Sequence, residues 1–378
     1  MEDIMLRYKS ICVFKAAAKE VYPLAALACC RDETRAVELA AEVFSAVAER
    51  GCDTTGEWIK YLLRRDDNVF SRTAARGGRV SARLKSQVIS ELAVFKRLSL
   101  VKPDDFATET IAEFLPRFGF GGMSVTYERL LLFYMANGCG TVSVGSTFVY
   151  RDGELFPADF GDAVLSDIKN YAEEKAEIVR NTENFIAGLP AFHALLYGDC
   201  GTGKTATVRA IAREYRDRIN VIEVSPRDVS RIGTLRAELA GLKQKFILFV
   251  DNLDSDGNGA IGKSLEAELD SPCGNTLVYC TCDSRRRAED GEERQNRDTQ
   301  SELALFDRFG LVVTYMIPGK EEFIDILKQI LRSRGIRWRE EYSAVAELAA
   351  LKKGGRSPRA AKQIAELIES NYAQRRCD

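Results

Sequence analysis

At Gly198-Asp199-Cys200-Gly201-Thr202-Gly203-Lys204-Thr205 the chain matches the whole pattern G-x-x-x-x-G-K-[ST]. A short apolar segment, 194–197, precedes this stretch, and apolar residues at helical spacing follow it over 206–215. Strand, glycine loop and helix in that order form the context in which the pattern cradles phosphate groups. We therefore predict a nucleotide-binding loop in which the eight quoted residues and Ala206 contact the nucleotide.

Each residue type in this loop has a physical role. Gly198, Gly201 and Gly203 let the backbone turn tightly and point successive N–H groups toward an anion. The N-terminus of the following helix adds partial positive charge. We predict that Lys204 reaches the outer phosphates and that the Thr205 hydroxyl binds Mg²⁺. No N-K-x-D motif for guanine follows the loop, which disfavours a GTPase.

After the loop, strand-like and helix-like segments alternate. Strands are predicted at 221–224, 246–250, 276–281 and 311–315, and the continuous apolar run 246–250 predicts a strand buried on both faces. Helical spacing lies between them, and another predicted helix, 166–185, leads into the core. The predicted fold class is α/β, with a doubly wound parallel sheet of the P-loop NTPase type.

The chain of 378 residues is long enough for several domains. Residues 1–137 are predicted to form an all-helical N-terminal domain, and 138–165 a connector with short β segments at 141–144 and 148–150. The α/β core is predicted at 166–317, and a small helical lid at 318–378. The charged, apolar-poor run 284–300 is predicted to be an exposed loop.

Polar residues that end the core strands are the next candidates. Asp251 follows the apolar run 246–250, where P-loop enzymes hold Mg²⁺, although a simple strand-ending turn would also explain it. The next residue, Asn252, can orient an attacking water but cannot accept its proton, so slow hydrolysis is expected. Two nearby carboxylates, Asp254 and Asp283, could take over that task.

Three more charged residues are candidates for the chemistry. Asp283 follows a core strand, where a polar side chain can sense the γ-phosphate. Arg308 precedes the last strand and could act as an arginine finger on a neighbouring subunit, or simply pair with Asp307. Arg359 lies in the first turn of the last helix, after the predicted N-cap Ser357. A cation is unfavourable there unless it faces phosphate, and a solvated arginine is the alternative.

Composition limits the class of protein. The 54 basic and 56 acidic residues give a net charge of −2, which argues against a surface devoted as a whole to nucleic acid. The ten cysteines form no C-x-x-C pair, and we expect the one histidine, His193, to be structural. Without a targeting or membrane-spanning segment in the sequence, we predict a cytoplasmic protein.

A basic stretch interrupts the helical half at 64–85 and contains Gly77 and Gly78. A solvated loop and helix face would explain it. A docking surface for an acidic partner or a phosphate backbone is the alternative, although the stretch lacks the aromatic residues that favour single-strand binding.

The motifs occur in the order and spacing of AAA+ ATPases, which the chain resembles. It is also similar to a bacterial family of predicted AAA+ ATPases of unknown function, through 181–188, 222–224, 308–310 and 66–70. The resemblance covers most of the chain. It implies ATP binding, hydrolysis, assembly into a homo-oligomeric ring, with a hexamer as one candidate, and the usual roles for Lys204, Asp251, Arg308 and Arg359.

Two residues depart from that family. Asn252 stands where the family has a second aspartate, and Asp283 stands where it has asparagine. We hypothesise that Asp283 supplies the carboxylate that Asn252 lacks.

Three functions are compatible with these features. The first is an ATPase that remodels a macromolecular partner, an unidentified protein bound through the helical N-terminal half. The second is an ATP-dependent assembly switch or scaffold with little hydrolysis, because of Asn252. The third is a nucleic-acid loader or motor, supported mainly by the basic stretch.

Overall fold

The computed structural model describes residues 2–102, 105, 112–116, 119, 121–253, 265, 267–272, 274–284, 307–352 and 355–377. The chain separates into two compact units. The first comprises Met1–Gly145 and Gly241–Gln244, and the second comprises Ser146–Ala240 and Lys245–Asp378. The boundary at Gly145 lies within the segment 138–165, which we predicted as a connector.

The first unit is helical, as predicted. Its α-helices are α1 Glu2–Lys9, α2 Lys15–Glu20, α3 Tyr22–Leu27, α4 Glu33–Glu49, α5 Thr55–Arg65, α6 Val69–Ala75, α7 Ala82–Ser99 and α8 Tyr127–Asn137. Short 3-10 helices form at Ala112–Phe114 and Gly140–Val144. The β segment predicted at 141–144 was therefore wrong. There the Ser143 hydroxyl donates to the carbonyl of Gly140 at 2.7 Å, which stabilises a turn.

Side-chain caps determine where many of these helices begin. The N-cap side chain of each helix from α4 to α8 accepts a hydrogen bond from a backbone N–H in the first turn, and these caps are Asp32, Thr54, Asn68, Ser81 and Thr126. Such a cap contributes about 1 kcal/mol of stability. The local sequence thus specifies the starts of these helices.

Aromatic side chains fill the core of the first unit. Phe14 packs edge-on against Phe70 and Phe95, with ring centroids 6.3 and 6.0 Å away. The buried phenol of Tyr134 donates to the carbonyl of Leu63. This unit therefore has a hydrophobic core of its own.

The second unit is built on a seven-stranded sheet. Its strands are β1 Thr147–Arg151, β2 Glu154–Pro157, β3 Ala194–Gly198, β4 Asn220–Val224, β5 Phe246–Val250, β6 Thr276–Asp283 and β7 Leu311–Tyr315. They lie in the order β2-β1-β4-β5-β6-β3-β7, and among the described strands only β1 and β2 pair antiparallel. The predicted α/β fold class is confirmed. The hairpin β1–β2 lies at the edge of this sheet, with Phe148 opposite Ile222 of β4.

The strand order brings three strand ends together. β6 lies between β3 and β5, with Gly198 opposite Asp283 and Val250 opposite Cys280. Ligands of parallel sheets bind at the carboxyl ends of the strands. The phosphate loop, Asp283 and Asp251 all follow or end strands at that edge.

The helices of the core are α9 Ala172–Ala187, α10 Lys204–Glu214 and α11 Ile232–Leu239. The prediction of a helix from 166 was wrong, because α9 begins only at Ala172. Asn170 and Tyr171 adopt left-handed φ angles of 63° and 57°, which a helix does not accommodate. The Tyr171 hydroxyl donates to the carbonyl of Met316 at 2.7 Å and holds this break in place.

Three helices follow the sheet, as predicted: α12 Lys320–Ser333, α13 Glu341–Lys352 and α14 Pro358–Cys377. They share a small apolar core to which Phe323, Leu327 and Ile364 contribute. They form the predicted helical lid. No helix within the described ranges is long and apolar enough to cross a bilayer.

Candidate nucleotide-binding site

The phosphate loop leaves the end of β3 in the left-handed backbone that glycine permits. Gly198, Gly201 and Gly203 have φ angles of 137°, 80° and 110°. Gly198 is also tightly enclosed, since a Cβ there would lie 2.0 Å from the carbonyl oxygen of Tyr315 in the neighbouring strand β7. Both the backbone angle and the space exclude other residues at position 198.

We expect Gly198→Ala to lower the free energy of unfolding by about 3 kcal/mol or more, because it adds backbone strain and a clash with rigid backbone. Gly188→Ala is the matched control, since Gly188 has a φ of 75° but nothing within 4 Å of an added Cβ. Thermal unfolding followed by circular dichroism compares the two variants. Equal shifts of their midpoints would show that the enclosure by β7 does not matter.

The Asp199 side chain anchors the loop. Its Oδ1 accepts a hydrogen bond from the Ser284 hydroxyl at 2.8 Å, and its Oδ2 accepts one from the backbone N–H of Ile317 at 3.0 Å. We had predicted Asp199 as a nucleotide contact. The structure commits its carboxylate to the scaffold, and its backbone N–H donates to the carbonyl of Tyr315 at 3.0 Å. The nucleotide contact of Asp199 stays a prediction.

The Lys204 side chain is almost fully buried and makes three polar contacts. Its Nζ donates to the carbonyl oxygens of Gly198 and Asp199, at 2.9 and 2.7 Å. It also forms an ion pair with Oδ1 of Asp283 at 2.7 Å. Asp283 is thus directly bound to the loop lysine, a contact that the sequence pattern does not reveal.

A hydroxyl–carboxylate network joins the loop to the end of β5. The hydroxyls of Thr205 and Thr281 both donate to Oδ1 of Asp251, each at 2.7 Å. The Thr281 oxygen in turn accepts the backbone N–H of Asn252 at 2.7 Å. The structure therefore brings together the two residues predicted to bind metal. It adds Thr281 as a positioning residue, which the sequence motifs did not identify.

Asn252 lies at the cavity in the left-handed conformation, with φ 53°. Asparagine is one of the few residues other than glycine that adopts this angle readily. The turn after β5 thus accommodates an asparagine at this position, and an aspartate would fit the same angle. Asp254, the other carboxylate considered, falls outside the described residues.

The lid approaches the loop through the start of α14. The backbone N–H of Arg359 donates to the carbonyl of Gly201 at 3.2 Å, and its Nη1 lies 3.7 Å from the Sγ of Cys200. The Ser357 hydroxyl accepts the N–H of Ala360 at 3.2 Å, so Ser357 is the N-cap that the sequence predicted. The structure thus places the guanidinium of Arg359 beside the phosphate loop.

A cavity of about 990 Å³ opens at the loop. It is large enough for a nucleotide, since pockets for such ligands measure about 300–1,000 Å³. Its walls come from the loop, from Asp251, Asn252, Thr281 and Asp283, from 162–169, and from the lid through Ile326, Ile330, Ser333, Arg334, Pro358, Arg359 and Lys362. The residues in 162–169 and on α12 were missed, because no local pattern marks them.

Arg308 is not among the described residues that line this cavity. Its guanidinium pairs with the carboxylate of Asp270 instead of Asp307, the alternative partner that we had considered. Within one chain, therefore, the structure does not bring Arg308 to the phosphate loop.

His193 lies in the core, away from this chemistry. Its Nδ1 accepts the backbone N–H of Val278 at 2.9 Å. Burial, together with the charge of Arg236, lowers the pKa of His193 to about 4. The imidazole is therefore neutral near pH 7, which fits the structural role that we expected.

Comparison with known proteins gives a family and several distant relatives. Residues 147–372 match the family described as "Protein of unknown function (DUF815)". The large subunit of replication factor C from Sulfurisphaera tokodaii is 35% identical over 115 residues, and that from Sulfolobus acidocaldarius is 31% identical over 114 residues. The chain spans about a quarter of the length of these curated relatives, 26% in each case.

Among solved structures, the RuvB Holliday junction branch migration motor of Thermotoga maritima superposes with a TM-score of 0.40 and 19% identity, over 56% of this chain and 66% of that chain. The family match extends from β1 into α14 and so covers the sheet, the phosphate loop and the lid. The chain belongs to the DUF815 family.

Proposed function

We propose that this protein is a Mg²⁺-dependent ATPase that cleaves the β–γ phosphoanhydride of ATP and uses the energy to remodel a macromolecular partner. The observation that carries the proposal is the meeting of Lys204, Thr205 and Asp251 at a cavity of about 990 Å³. A lysine, a hydroxyl and a carboxylate in this arrangement are what phosphoryl transfer requires.

The chain's own groups fit a nucleotide. The loop turns through three glycines with positive φ, and α10 begins directly after them at Lys204. Its N-terminal N–H groups and the positive end of its dipole favour phosphate. The two carbonyl contacts of Lys204 hold its ammonium group at the loop.

The donor set also fits Mg²⁺. The oxygens of Thr205 and Asp251 lie 2.7 Å apart, and hard oxygen ligands are those that Mg²⁺ prefers. When bound, Mg²⁺ would neutralise charge that develops on the phosphates. Thr281 orients the Asp251 carboxylate through its own hydrogen bond to Oδ1.

Turnover also needs a group that orients or deprotonates the attacking water. Asn252 faces the cavity but has no basic atom, whereas Asp283 does and is bound to Lys204. We propose that Asp283 provides the carboxylate. General-base assistance is worth about 10²–10⁴-fold in rate.

We further propose that the chain assembles into a ring in which Arg308 of one copy reaches the nucleotide of the next. The position of Arg308 outside its own cavity supports this arrangement. The helical first unit, with its separate core, is the proposed site for the protein partner.

The main alternative is a switch that binds ATP, assembles and hydrolyses little, which Asn252 favours. The third function, a nucleic-acid loader or motor, requires that the basic stretch 64–85 of the first unit bind nucleic acid.

Steady-state phosphate release measured over a range of protein concentrations tests the proposal, beside Lys204→Ala. We expect activity per chain to rise cooperatively with concentration and to vanish in the variant. Tight ATP binding without turnover above the variant, even when the protein has assembled, would favour the switch. Absence of ATP binding by the folded wild-type chain would overturn both.

A further inference from the structure

Four exposed cations of the first unit form a surface that we call the basic cluster: Arg76, Arg79, Arg83 and Lys243. Residues 76–77 and 241–243 are far apart in sequence but meet in the fold. The Lys243 side chain lies against Gly77, where an added Cβ would be 3.2 Å from its Cε. The Arg76 side chain lies in the same way against Gly241, with Cγ 3.8 Å from an added Cβ.

These four side chains have no carboxylate within ion-pair distance in the described part of the chain. Three other cations of the basic stretch are already engaged. Arg72 pairs with Asp67 at 2.7 Å, and Arg64 and Lys85 lie over the rings of Phe133 and Tyr127. The basic cluster thus differs from these three cations, which already have partners inside the fold.

The start of α7 adds to the positive potential. Ser81 caps this helix of 18 residues, and its first turn holds no acidic residue but does contain Arg83. The N-terminus of a helix carries partial positive charge, so an arginine there is unfavourable unless an anion binds nearby. The helix dipole and the cluster favour the same kind of ligand.

We propose that the basic cluster binds the phosphate backbone of duplex nucleic acid. Arginine matches phosphate geometry with two parallel N–H donors, and three of the four cations are arginines.

Two alternatives are less well supported. Protein interfaces have an apolar centre, yet no large apolar side chain described between 76 and 85 is exposed. Single strands stack their bases on aromatic side chains, and the sequence 76–85 contains none. Binding to a duplex needs neither feature, because cations can contact its regularly spaced phosphates without contacting the bases.

Fluorescence anisotropy with a labelled 30-base-pair DNA duplex and the full chain, without ATP, tests the proposal over a series of salt concentrations. Four phosphate contacts predict a slope of log K against log salt of about −3.6. We expect replacement of the four cations by glutamine to weaken binding at least about 30-fold and to bring the slope close to zero. An RNA duplex and a 30-nucleotide dT strand, run in parallel, identify which nucleic acid is preferred.

The control replaces four exposed arginines that have carboxylate partners, Arg7, Arg35, Arg97 and Arg339, by glutamine. It removes the same charge and should bind the duplex like the wild type. Equal weakening in both variants, or a slope near zero for the wild type, would overturn the proposal. Stronger competition by poly-glutamate than by duplex would instead identify an acidic protein as the partner. Because no ATP is present in this assay, a negative result would not argue against the proposed ATPase activity. Likewise, absence of ATPase activity would not argue against duplex binding.

Discussion

Arg308→Ala should reduce ATP turnover by about 10³-fold or more while leaving ATP binding by the isolated chain unchanged. The reason is geometric. Arg308 does not line the cavity of its own chain, and its guanidinium pairs with Asp270 in the described structure. Its loss therefore removes no contact with a nucleotide in the same chain, but it removes positive charge that a neighbouring copy would supply to the transition state.

Mixing experiments distinguish action between copies from action within one. Arg308→Ala retains a complete loop, and Lys204→Ala retains the arginine. A mixture of the two inactive variants should therefore recover part of the turnover. Arg337→Ala, which removes an exposed arginine of the same unit, serves as the control and should retain wild-type activity. Full activity of Arg308→Ala would remove this residue from the mechanism, and a mixture that stays inactive would argue against exchange between copies.

The strands were predictable because their signal is local. The five apolar residues Phe246–Val250 are all buried, and the observed strand has the predicted bounds. The strand Leu311–Tyr315 also has the predicted bounds, although only Val313 and Tyr315 in it are buried. By contrast, the place of the hairpin β1–β2 depends on pairing between Thr147 and Val221, which lie far apart in sequence. Nothing in the short segment 147–157 indicates that partner.

The helix predicted from 166 fails because a long-range contact overrides the local pattern. Its apolar spacing is compatible with a helix, but Asn170 and Tyr171 take left-handed angles. A tertiary contact holds them there, since the Tyr171 hydroxyl binds the carbonyl of Met316 on a distant segment. The same break leaves 162–169 free to line the cavity. Local helix propensity alone could not show that residues in 162–169 line the cavity.

Within the site, the motif predicts residues but not their partners. The loop sequence identified Lys204 and Thr205 directly. The ion pair between Lys204 and Asp283 follows from the register of β3 and β6, which places Asp283 opposite Gly198. Register is set by long-range pairing, so this contact appears only in the folded chain.

Asp283→Asn should have two opposite effects, and these separate its roles. The carboxylate of Asp283 lies 2.7 Å from Nζ of Lys204, so it competes with phosphate for the same ammonium group. Asparagine removes that competition and the repulsion of phosphate, so ATP should bind about tenfold more tightly, a gain of about 1.4 kcal/mol. Turnover should nevertheless fall by about 10²-fold or more, because the carboxylate that assists the attacking water is lost.

The chain offers an internal control for this prediction. In the double variant Asn252→Asp with Asp283→Asn, the acid and the amide exchange positions, and the carboxylate returns to the residue after Asp251. If the reaction needs a carboxylate but not at a particular strand end, the double variant should regain most of the turnover. It should also keep the tighter ATP binding. Calorimetric ATP binding and phosphate release measure the two effects separately. Unchanged turnover in Asp283→Asn would exclude this carboxylate from catalysis, and its ion pair with Lys204 would then serve only to hold the loop in shape. Loss of turnover that the exchange does not restore would mean that the contact with Lys204, and not the carboxylate as such, is what the reaction requires.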